Sequence, residues 1–223
     1  MHLPSILLGA TISGIVTARP IDLDIRQASC PSYSTGEPQG PSAGFQTMNT
    51  NVLAQKPGGR VYSTIYPADV FGITTGGTQD IINHIHATLA SNPAECFILQ
   101  GYSQGATAVV KTLPQLTGPA FDAVKAVLLI GNPFHKAGLE CNVDSNGGTL
   151  TKDVNGVYEP LHPGLSVPSN WVSKTKDVCA FGDFVCDTRD GPLIAAQHLS
   201  YPFNPATQDM GTAFSLAQLN GSS

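Results

Sequence analysis

The sequence predicts an α/β fold, a three-layer α/β/α sandwich with a central, mostly parallel sheet. Three observations predict this class. Apolar runs of strand length alternate along the chain with amphipathic stretches of helix length, a pattern typical of parallel strands joined by crossover helices. A length of 223 residues suits one α/β domain with a well-buried core. Residues 101–105 form a glycine-flanked turn between a predicted strand and a predicted helix. The turn lies at the carboxyl end of the strand, where such folds bind ligands.

Two helices and a strand are predicted in the first part of the chain. Residues 42–54 form an amphipathic helix that covers one face of the sheet. Residues 60–66 are β-branched and aromatic and are bounded by Gly and Pro, so they form a strand. The next helix begins near Thr75 or Thr78 and ends before Pro93. The apolar residues at helical spacing are Phe45, Met48, Val52, Leu53, Ile81, Ile82, Ile85 and Leu89.

The alternation continues through the rest of the chain. The predicted strands are residues 97–100, 124–130 and 177–181, and the predicted helices are residues 104–113 and 210–219. Residues 142–156 are rich in Asn, Gly, Asp and Thr, so we expect an exposed loop there.

The turn at residues 101–105 has the sequence Gly-Tyr-Ser-Gln-Gly, the pattern of a nucleophile elbow. The two glycines allow a strand to turn sharply into a helix, with Ser103 held in a strained conformation. The Gln104 N–H then lies at a helix N-terminus, where it can stabilise a developing oxyanion. The alternative is a glycine-rich turn with a solvated serine.

Composition limits the range of partners. Charged residues make up 12% of the chain and the net charge is −5 at pH 7, so no basic region for nucleic acid or an anionic membrane is present. We expect a neutral or apolar substrate. No Cys-x-x-Cys motif or neighbouring histidine pair has metal-ligand spacing, so we expect no metal and no other cofactor.

The N-terminus is predicted to direct secretion. Residues 1–18 are apolar with small residues near the end, which is typical of a signal peptide, and residues 19–29 are a leader or pro-segment. The alternative is a buried N-terminal helix. No later segment approaches about 20 apolar residues, so we expect no stable membrane anchor. Residues 30–223 then form a single domain.

The five cysteines leave one without a partner if disulfides form in a secreted protein. Cys179 and Cys186 could close a short loop locally, whereas Cys96 would need a partner far away in the sequence, for which Cys30 is the natural candidate. Cys141 is the remaining cysteine.

A nucleophilic serine needs a histidine base and a carboxylate that orients the base. In this fold class the order along the chain is Ser, acid, His, and of six histidines only His198 follows all predicted strands. The other histidines are expected to be solvated or locally hydrogen-bonded. Asp183 is the preferred acid because it follows a predicted strand and lies inside the loop that Cys179 and Cys186 would close. The alternative is that Asp183 is an ordinary turn residue without a catalytic role. The other candidate acids are Asp177, Asp187 and Asp190.

Three motifs make the chain resemble the fungal cutinase family, secreted serine esterases of the α/β-hydrolase class. They are Cys96 followed after four residues by Gly101-Tyr102-Ser103-Gln104-Gly105-Ala106, then Cys179-Ala180-Phe181-Gly182-Asp183-Phe184-Val185-Cys186, and Ala196-Gln197-His198-Leu199-Ser200-Tyr201. The first motif is common among hydrolases. The cysteine-bracketed Gly-Asp loop followed by the histidine motif is much more specific, and the resemblance extends from about Cys30 to Phe214.

The resemblance implies roles for several residues. Ser103 would be the nucleophile, Asp183 the orienting acid and His198 the general acid and base. It implies an oxyanion hole made by Gln104 and by Thr35, in the loop after the first strand. It also implies disulfides Cys30–Cys96 and Cys179–Cys186, and an apolar lip for the acyl chain. The lip residues are Leu193 and Ile194. The equal alternative is that these two residues are simply packed within their loop.

The chain departs from the family before Thr35. Family members carry an apolar strand ending in Arg-Gly there, whereas this chain runs directly from Cys30-Pro31-Ser32-Tyr33 to Ser34-Thr35. The first strand is therefore predicted to be truncated, and its loss would leave a gap in the interior of the sheet and displace Thr35 from the oxyanion hole. The two explanations are that the N-terminal segment takes another route and that the sequence contains a wrongly predicted splice junction.

The resulting functional prediction is a secreted, monomeric serine esterase that acts on cutin and other medium-chain fatty acid esters through an acyl-enzyme. Acetylxylan esterase is an alternative with the same fold and triad. A second alternative is a catalytically impaired secreted binding protein, which the truncated first strand would explain.

Overall fold

The computed structural model describes residues 33–38, 44–65, 74–189 and 195–221. The predicted signal peptide, the leader, Cys30, Asp190, Leu193 and Ile194 lie outside the described residues.

Strands and helices alternate over most of the described chain. The strands are β1 (Tyr33–Pro38), β2 (Gly59–Thr64), β3 (Cys96–Tyr102), β4 (Val124–Ile130), β5 (Asn142–Asp144) and β6 (Thr175–Cys179). The helices are α1 (Gln46–Gln55), α2 (Thr75–Ser91), α3 (Gln104–Thr112), α4 (Pro119–Ala123), α5 (Ala195–His198) and α6 (Pro205–Leu219). Short 3-10 turns occur at Leu113–Gln115, Ser169–Lys174 and Tyr201–Phe203.

The six strands form one sheet in the order β2-β1-β3-β4-β6-β5, and every described pairing is parallel. Parallel neighbours require crossover connections, which the intervening helices and loops supply. The predicted parallel α/β architecture is therefore confirmed.

Alternate residues of β4 show how the two faces are buried. Val127 and Leu129 pack with residues of α2 and α3 in one cluster. Leu128 and Ile130 pack with Phe45 and Met48, beside α1 and α6, in another. Because successive strand residues point to opposite faces, the continuous apolar run of β4 is what a central strand covered on both sides requires.

The expected gap in the sheet is not found. β1 pairs with β2 along its whole length and with β3 from Tyr33 to Gly36, so a six-residue strand occupies the interior position. Thr35 is one of its central residues, opposite Val61 and Ile98. The interior position is therefore filled, as expected if the N-terminal segment takes another route, and no gap is left in the described sheet. The prediction that Thr35 lies in a loop after the first strand is wrong, because Thr35 lies within β1.

The exposed loop predicted for residues 142–156 is found only in part, because residues 145–156 form no helix or strand and several of them are exposed, whereas the start of the segment is a strand. This strand is β5, and Asn142 and Asp144 are buried. The Asn142 amide donates to the carbonyls of Lys136 and Lys152, and the Asp144 carboxylate accepts the N–H groups of Asn146 and Gly148. Polar side chains here turn inward to hydrogen-bond the backbone.

Candidate active site

Ser103 lies at the sharp turn between β3 and α3. Its φ of 55° and ψ of −117° make it the one residue other than glycine with positive φ in the described part of the chain. Its N–H donates to the Ile130 carbonyl at the end of β4. A Cβ at Gly101 would lie 2.6 Å from the Ala106 Cα, so the close crossing of strand and helix requires glycine there. The predicted elbow geometry is present.

His198 joins Ser103 to Asp183. Its Nε2 lies 2.8 Å from the Ser103 Oγ, and its Nδ1 lies 2.9 Å from both carboxylate oxygens of Asp183. The Asp183 side chain is fully buried, whereas that of His198 is 12% exposed. This arrangement allows a serine proton to pass to Nε2 while the carboxylate stabilises the imidazolium.

The loop after β6 holds Asp183 in place. The Asp183 N–H donates to the Ala180 carbonyl, and its own carbonyl accepts the Cys186 N–H. The Cys179–Cys186 disulfide closes this loop, as predicted. Val185 N–H donates to the Asp183 Oδ1 at 2.9 Å. Backbone and disulfide together fix the direction of the carboxylate.

Two tyrosines that the sequence analysis did not assign lie against the acid and the base. The Tyr201 hydroxyl donates to the Asp183 Oδ2, and the Tyr102 hydroxyl donates to the His198 carbonyl. Burial, reinforced by the Asp183 charge, raises the pKa of Tyr102 to about 12 and the pKa of Tyr201 well above its ordinary value. Both tyrosines occur in the quoted motifs, directly before Ser103 and three residues after His198.

The structure describes the positions of only some of the other predicted site residues. Gln104 is the first residue of α3, directly after Ser103, as an oxyanion donor requires. Thr35 lies in β1 opposite Ile98. Ile98 is five residues before Ser103, or roughly 16 Å along a strand, so this register does not bring Thr35 to the turn. Leu193 and Ile194 lie outside the described residues. Cys96 is disulfide-bonded, and its pairing with Cys30 stays a prediction.

The remaining candidate acids that are described have other partners. Asp177 is fully buried, where it lies 3.1 Å from His135 and accepts a hydrogen bond from Asn132. Asp187 forms a two-point ion pair with Arg189. Despite burial, which raises it, the pKa of Asp187 is lowered by these bonds and by the Gly182 N–H.

The other described histidines do not approach Ser103. His135 is fully buried rather than solvated, with Nε2 2.9 Å from the Thr151 carbonyl. His84 stacks on Tyr62 at 3.6 Å between ring centroids. His162 packs against Phe134 and Tyr158.

Apolar side chains are exposed on the loops that carry the acid and the base. Phe181, two residues before Asp183, is 62% exposed, and Leu199, directly after His198, is 59% exposed. Phe203 is 85% exposed. The Phe184 ring lies 6.0 Å from the His198 ring. The surroundings of the site therefore suit an apolar substrate.

Within the described ranges, no group of three or more His, Cys, Asp or Glu side chains could hold a metal ion. No described helix combines the length and apolar character needed to cross a membrane.

Comparison with known proteins identifies the same class. The sequence profile of the family described as Cutinase matches residues 33–219. A solved structure titled "A novel cutinase-like protein from Cryptococcus sp." is 52% identical with a TM-score of 0.80, covering 88% of this chain and 98% of that one. "Carboxylesterase Culp1" of Mycobacterium tuberculosis is 32% identical over 168 residues, which are 72% of this chain and 67% of that protein. "Acetylxylan esterase" of Hypocrea jecorina is 27% identical over 211 residues, 81% of this chain and 67% of that protein.

Proposed function

The chain belongs to the cutinase family and is an esterase, and from this premise we propose that it hydrolyses esters of medium-chain or hydroxy fatty acids, such as those of plant cutin, through an acyl-enzyme on Ser103. One observation carries the proposal. The hydrogen-bonded series from the Ser103 Oγ through both nitrogens of His198 to the Asp183 carboxylate has all its heavy-atom distances between 2.8 and 2.9 Å.

In the first half of the proposed reaction, the Ser103 Oγ attacks the ester carbonyl carbon and its proton passes to the His198 Nε2. Asp183 keeps the Nδ1 proton in place and stabilises the imidazolium. When the tetrahedral intermediate collapses, the bond to the alcohol oxygen breaks and His198 gives its proton to that oxygen. The alcohol leaves, and the acyl group stays on Ser103.

In the second half, water replaces the alcohol. His198 takes a proton from the water as it attacks the acyl carbon, then returns the proton to the Ser103 Oγ as the carboxylic acid leaves. The Gln104 N–H at the start of α3 supports the oxyanion in both steps. The role predicted for Thr35 required a loop position and is not part of the proposal.

The substrate class is argued from the surroundings of the site. Phe181 and Leu199 are exposed on the loops that carry the acid and the base, and the Phe184 ring lies 6.0 Å from the His198 ring. Charged residues are only 12% of the chain. An acyl chain is stabilised by apolar contacts, whereas a charged substrate needs compensating charges. Leu193 and Ile194 are proposed to extend the apolar lip.

Acetylxylan esterase activity is the second candidate, because a relative with that name aligns with this chain over 211 residues. The third possibility is a binding protein that has lost catalysis, and the argument for it is a missing strand. β1 occupies the position of that strand, so this argument no longer applies.

We propose that the protein is secreted and monomeric and is not stably anchored in a membrane, with residues 1–18 as signal peptide, 19–29 as leader and 30–223 as the hydrolase domain. The Cys179–Cys186 disulfide supports this proposal because disulfides persist in oxidising compartments. N-terminal sequencing of protein from the culture medium tests it.

Hydrolysis of p-nitrophenyl butyrate by the wild type and by Ser103→Ala tests the reaction, with a phosphonate probe read by intact mass. Serine-dependent turnover and a single adduct are expected. Equal turnover by the two proteins would refute the role of Ser103. Comparison of butyrate and acetate esters, cutin and acetylated xylan then separates the two esterase candidates, because a small acyl pocket rejects longer chains.

A further inference from the structure

The hydroxyl of Tyr201 makes two short hydrogen bonds with different roles. It also lies 3.5 Å from the disulfide sulfur of Cys186, a much weaker acceptor than a carboxylate. The hydroxyl oxygen lies 2.5 Å from the Asp183 Oδ2 and 2.9 Å from the Ala180 nitrogen. The Ala180 N–H can only donate, so the hydroxyl oxygen accepts from it. The single hydroxyl proton is therefore directed to Asp183.

The negative charge of Asp183 is stabilised by a small set of donors. Val185 N–H and the Tyr201 hydroxyl each donate to one carboxylate oxygen, and the His198 Nδ1 lies near both. Because the carboxylate is fully buried, each of these hydrogen bonds stabilises the negative charge more strongly than it would in water.

We propose that Tyr201 is a positioning residue whose hydroxyl holds the Asp183 carboxylate toward His198 and takes up part of its negative charge. This inference rests on the proposed function, in which Asp183 and His198 are the acid and the base. The Tyr201 hydroxyl acts on His198 only through Asp183, so it sets how strongly the carboxylate stabilises the imidazolium of His198.

Tyr201 is suited to remain a donor over the working range of an esterase. Burial and the neighbouring Asp183 charge raise the pKa of its hydroxyl well above the ordinary value for tyrosine. The hydroxyl therefore keeps its proton and remains a donor to Asp183 at neutral and mildly alkaline pH.

The ring of Tyr201 has a separate, structural role. It is fully buried in the cluster that includes Phe45, Leu128 and Val178. Tyr201→Phe keeps this packing and removes only the hydroxyl. It also leaves the Ala180 N–H without its acceptor, which lowers stability. A loss of activity alone would therefore not distinguish positioning from folding.

The decisive measurement is the pKa of the His198 imidazole, followed by NMR titration and assigned with a His198→Gln variant. In Tyr201→Phe, Asp183 loses a donor and its full charge faces His198, so the His198 pKa rises by about half a unit to one unit. The acidic limb of kcat/KM moves to higher pH by the same amount. On the acidic limb kcat/KM therefore falls about three- to tenfold, because a smaller fraction of His198 is unprotonated and able to accept the serine proton.

Tyr62→Phe is the matched control. The Tyr62 hydroxyl also donates to an aspartate, Asp80, at 2.9 and 3.1 Å, but Tyr62 lies on β2, at the edge of the sheet remote from β6. This variant should leave the His198 pKa and the pH profile unchanged.

An unchanged His198 pKa in folded Tyr201→Phe would overturn the proposal. If that variant does not fold, 3-fluorotyrosine at position 201 keeps the packing and is a stronger donor, so the His198 pKa must fall instead of rising. The titration does not depend on turnover. Failure of the proposed function would appear separately, as wild-type hydrolysis that does not require Ser103.

Discussion

Gly131 lies so close to the His198 imidazole that no side chain fits between them. A Cβ at Gly131 would fall 2.7 Å from Cε1 and 2.9 Å from Nδ1 of His198, and 3.1 Å from the Asp183 Oδ2. Gly131 directly follows β4, has a φ of +58°, and donates its N–H to the Val178 carbonyl of β6. The end of the sheet itself therefore sets the distance between the acid and the base.

Gly131→Ala should abolish most of the esterase activity while the protein stays folded. The added methyl pushes the His198 ring away from Asp183 and Ser103, and displacements of about 1 Å in a catalytic group lower rates about a hundredfold. Kinetics with p-nitrophenyl butyrate and circular dichroism measure the two effects.

The matched control for this prediction is Gly118→Ala. Gly118 has nearly the same φ, +53°, but a Cβ there meets nothing within 4 Å. It carries the same kind of backbone strain without the collision. Equal losses of kcat/KM in the two variants would mean that strain, rather than contact with His198, explains the effect.

Asp183→Asn should lower kcat about ten-thousand-fold, as expected when a triad carboxylate becomes an amide. The asparagine can present an N–H to Nδ1, which favours the tautomer with its proton on Nε2, and that nitrogen can no longer accept the serine proton. Asp187→Asn, directly after this loop, should change kcat less than about tenfold, because Asp187 binds Arg189 and the Gly182 N–H instead. A larger loss in Asp187→Asn would reverse the assignment.

The elbow and the order of the three site residues could be predicted from sequence because their signals are local. The glycines that permit the turn lie within two residues of Ser103, and the cysteines that close the acid loop lie within four residues of Asp183. The role of Tyr201 could not be predicted in this way. Its partner Asp183 is 18 residues away, and only the fold brings the hydroxyl to the carboxylate.

β1 was missed for a different reason. Its sequence, Tyr-Ser-Thr-Gly-Glu-Pro, contains residues that are poor strand formers on average. Parallel pairing with both β2 and β3 overrides this weak preference. The burial of His135 could not be predicted from sequence either, since its partners Asp177 and Thr151 come from other parts of the chain.

Removing the Cys179–Cys186 disulfide should lower both stability and activity. Closing a loop with a sequence separation of 7 restricts the unfolded chain by about 2.5 kcal/mol on the chain-entropy estimate, and this loop carries Asp183. The double variant Cys179→Ala/Cys186→Ala should show a lower Tm and a lower kcat, measured by thermal unfolding and ester hydrolysis. Cys141→Ala removes a buried free thiol and should leave kcat unchanged. Full kcat in the double variant would show that the disulfide does not orient Asp183.

The environment of His135 favours its doubly protonated form. Its Nε2 lies 2.9 Å from the Thr151 carbonyl and its Nδ1 lies 3.1 Å from the Asp177 carboxylate. Both neighbours are acceptors, and a neutral imidazole has only one N–H to offer. Burial lowers the pKa of His135, but the Asp177 charge, the two contacts and the more distant Asp187 outweigh burial, so the pKa is raised.

The His135–Asp177 pair should make the free energy of unfolding decrease as pH rises above the pKa range of an ordinary histidine. Below the unfolded-state pKa, about 6.5, His135 is protonated in both states and its contribution is complete. As pH rises through the higher folded-state pKa, the folded protein loses the proton and the contribution is lost. The free energy of urea unfolding should therefore differ more between wild type and His135→Gln at about pH 6 than at about pH 9. His86→Gln, at an exposed position on α2, should show no such trend. A wild-type advantage over His135→Gln that is equal at both pH values would mean that His135 stabilises the fold as a neutral ring, by packing and its Thr151 bond alone.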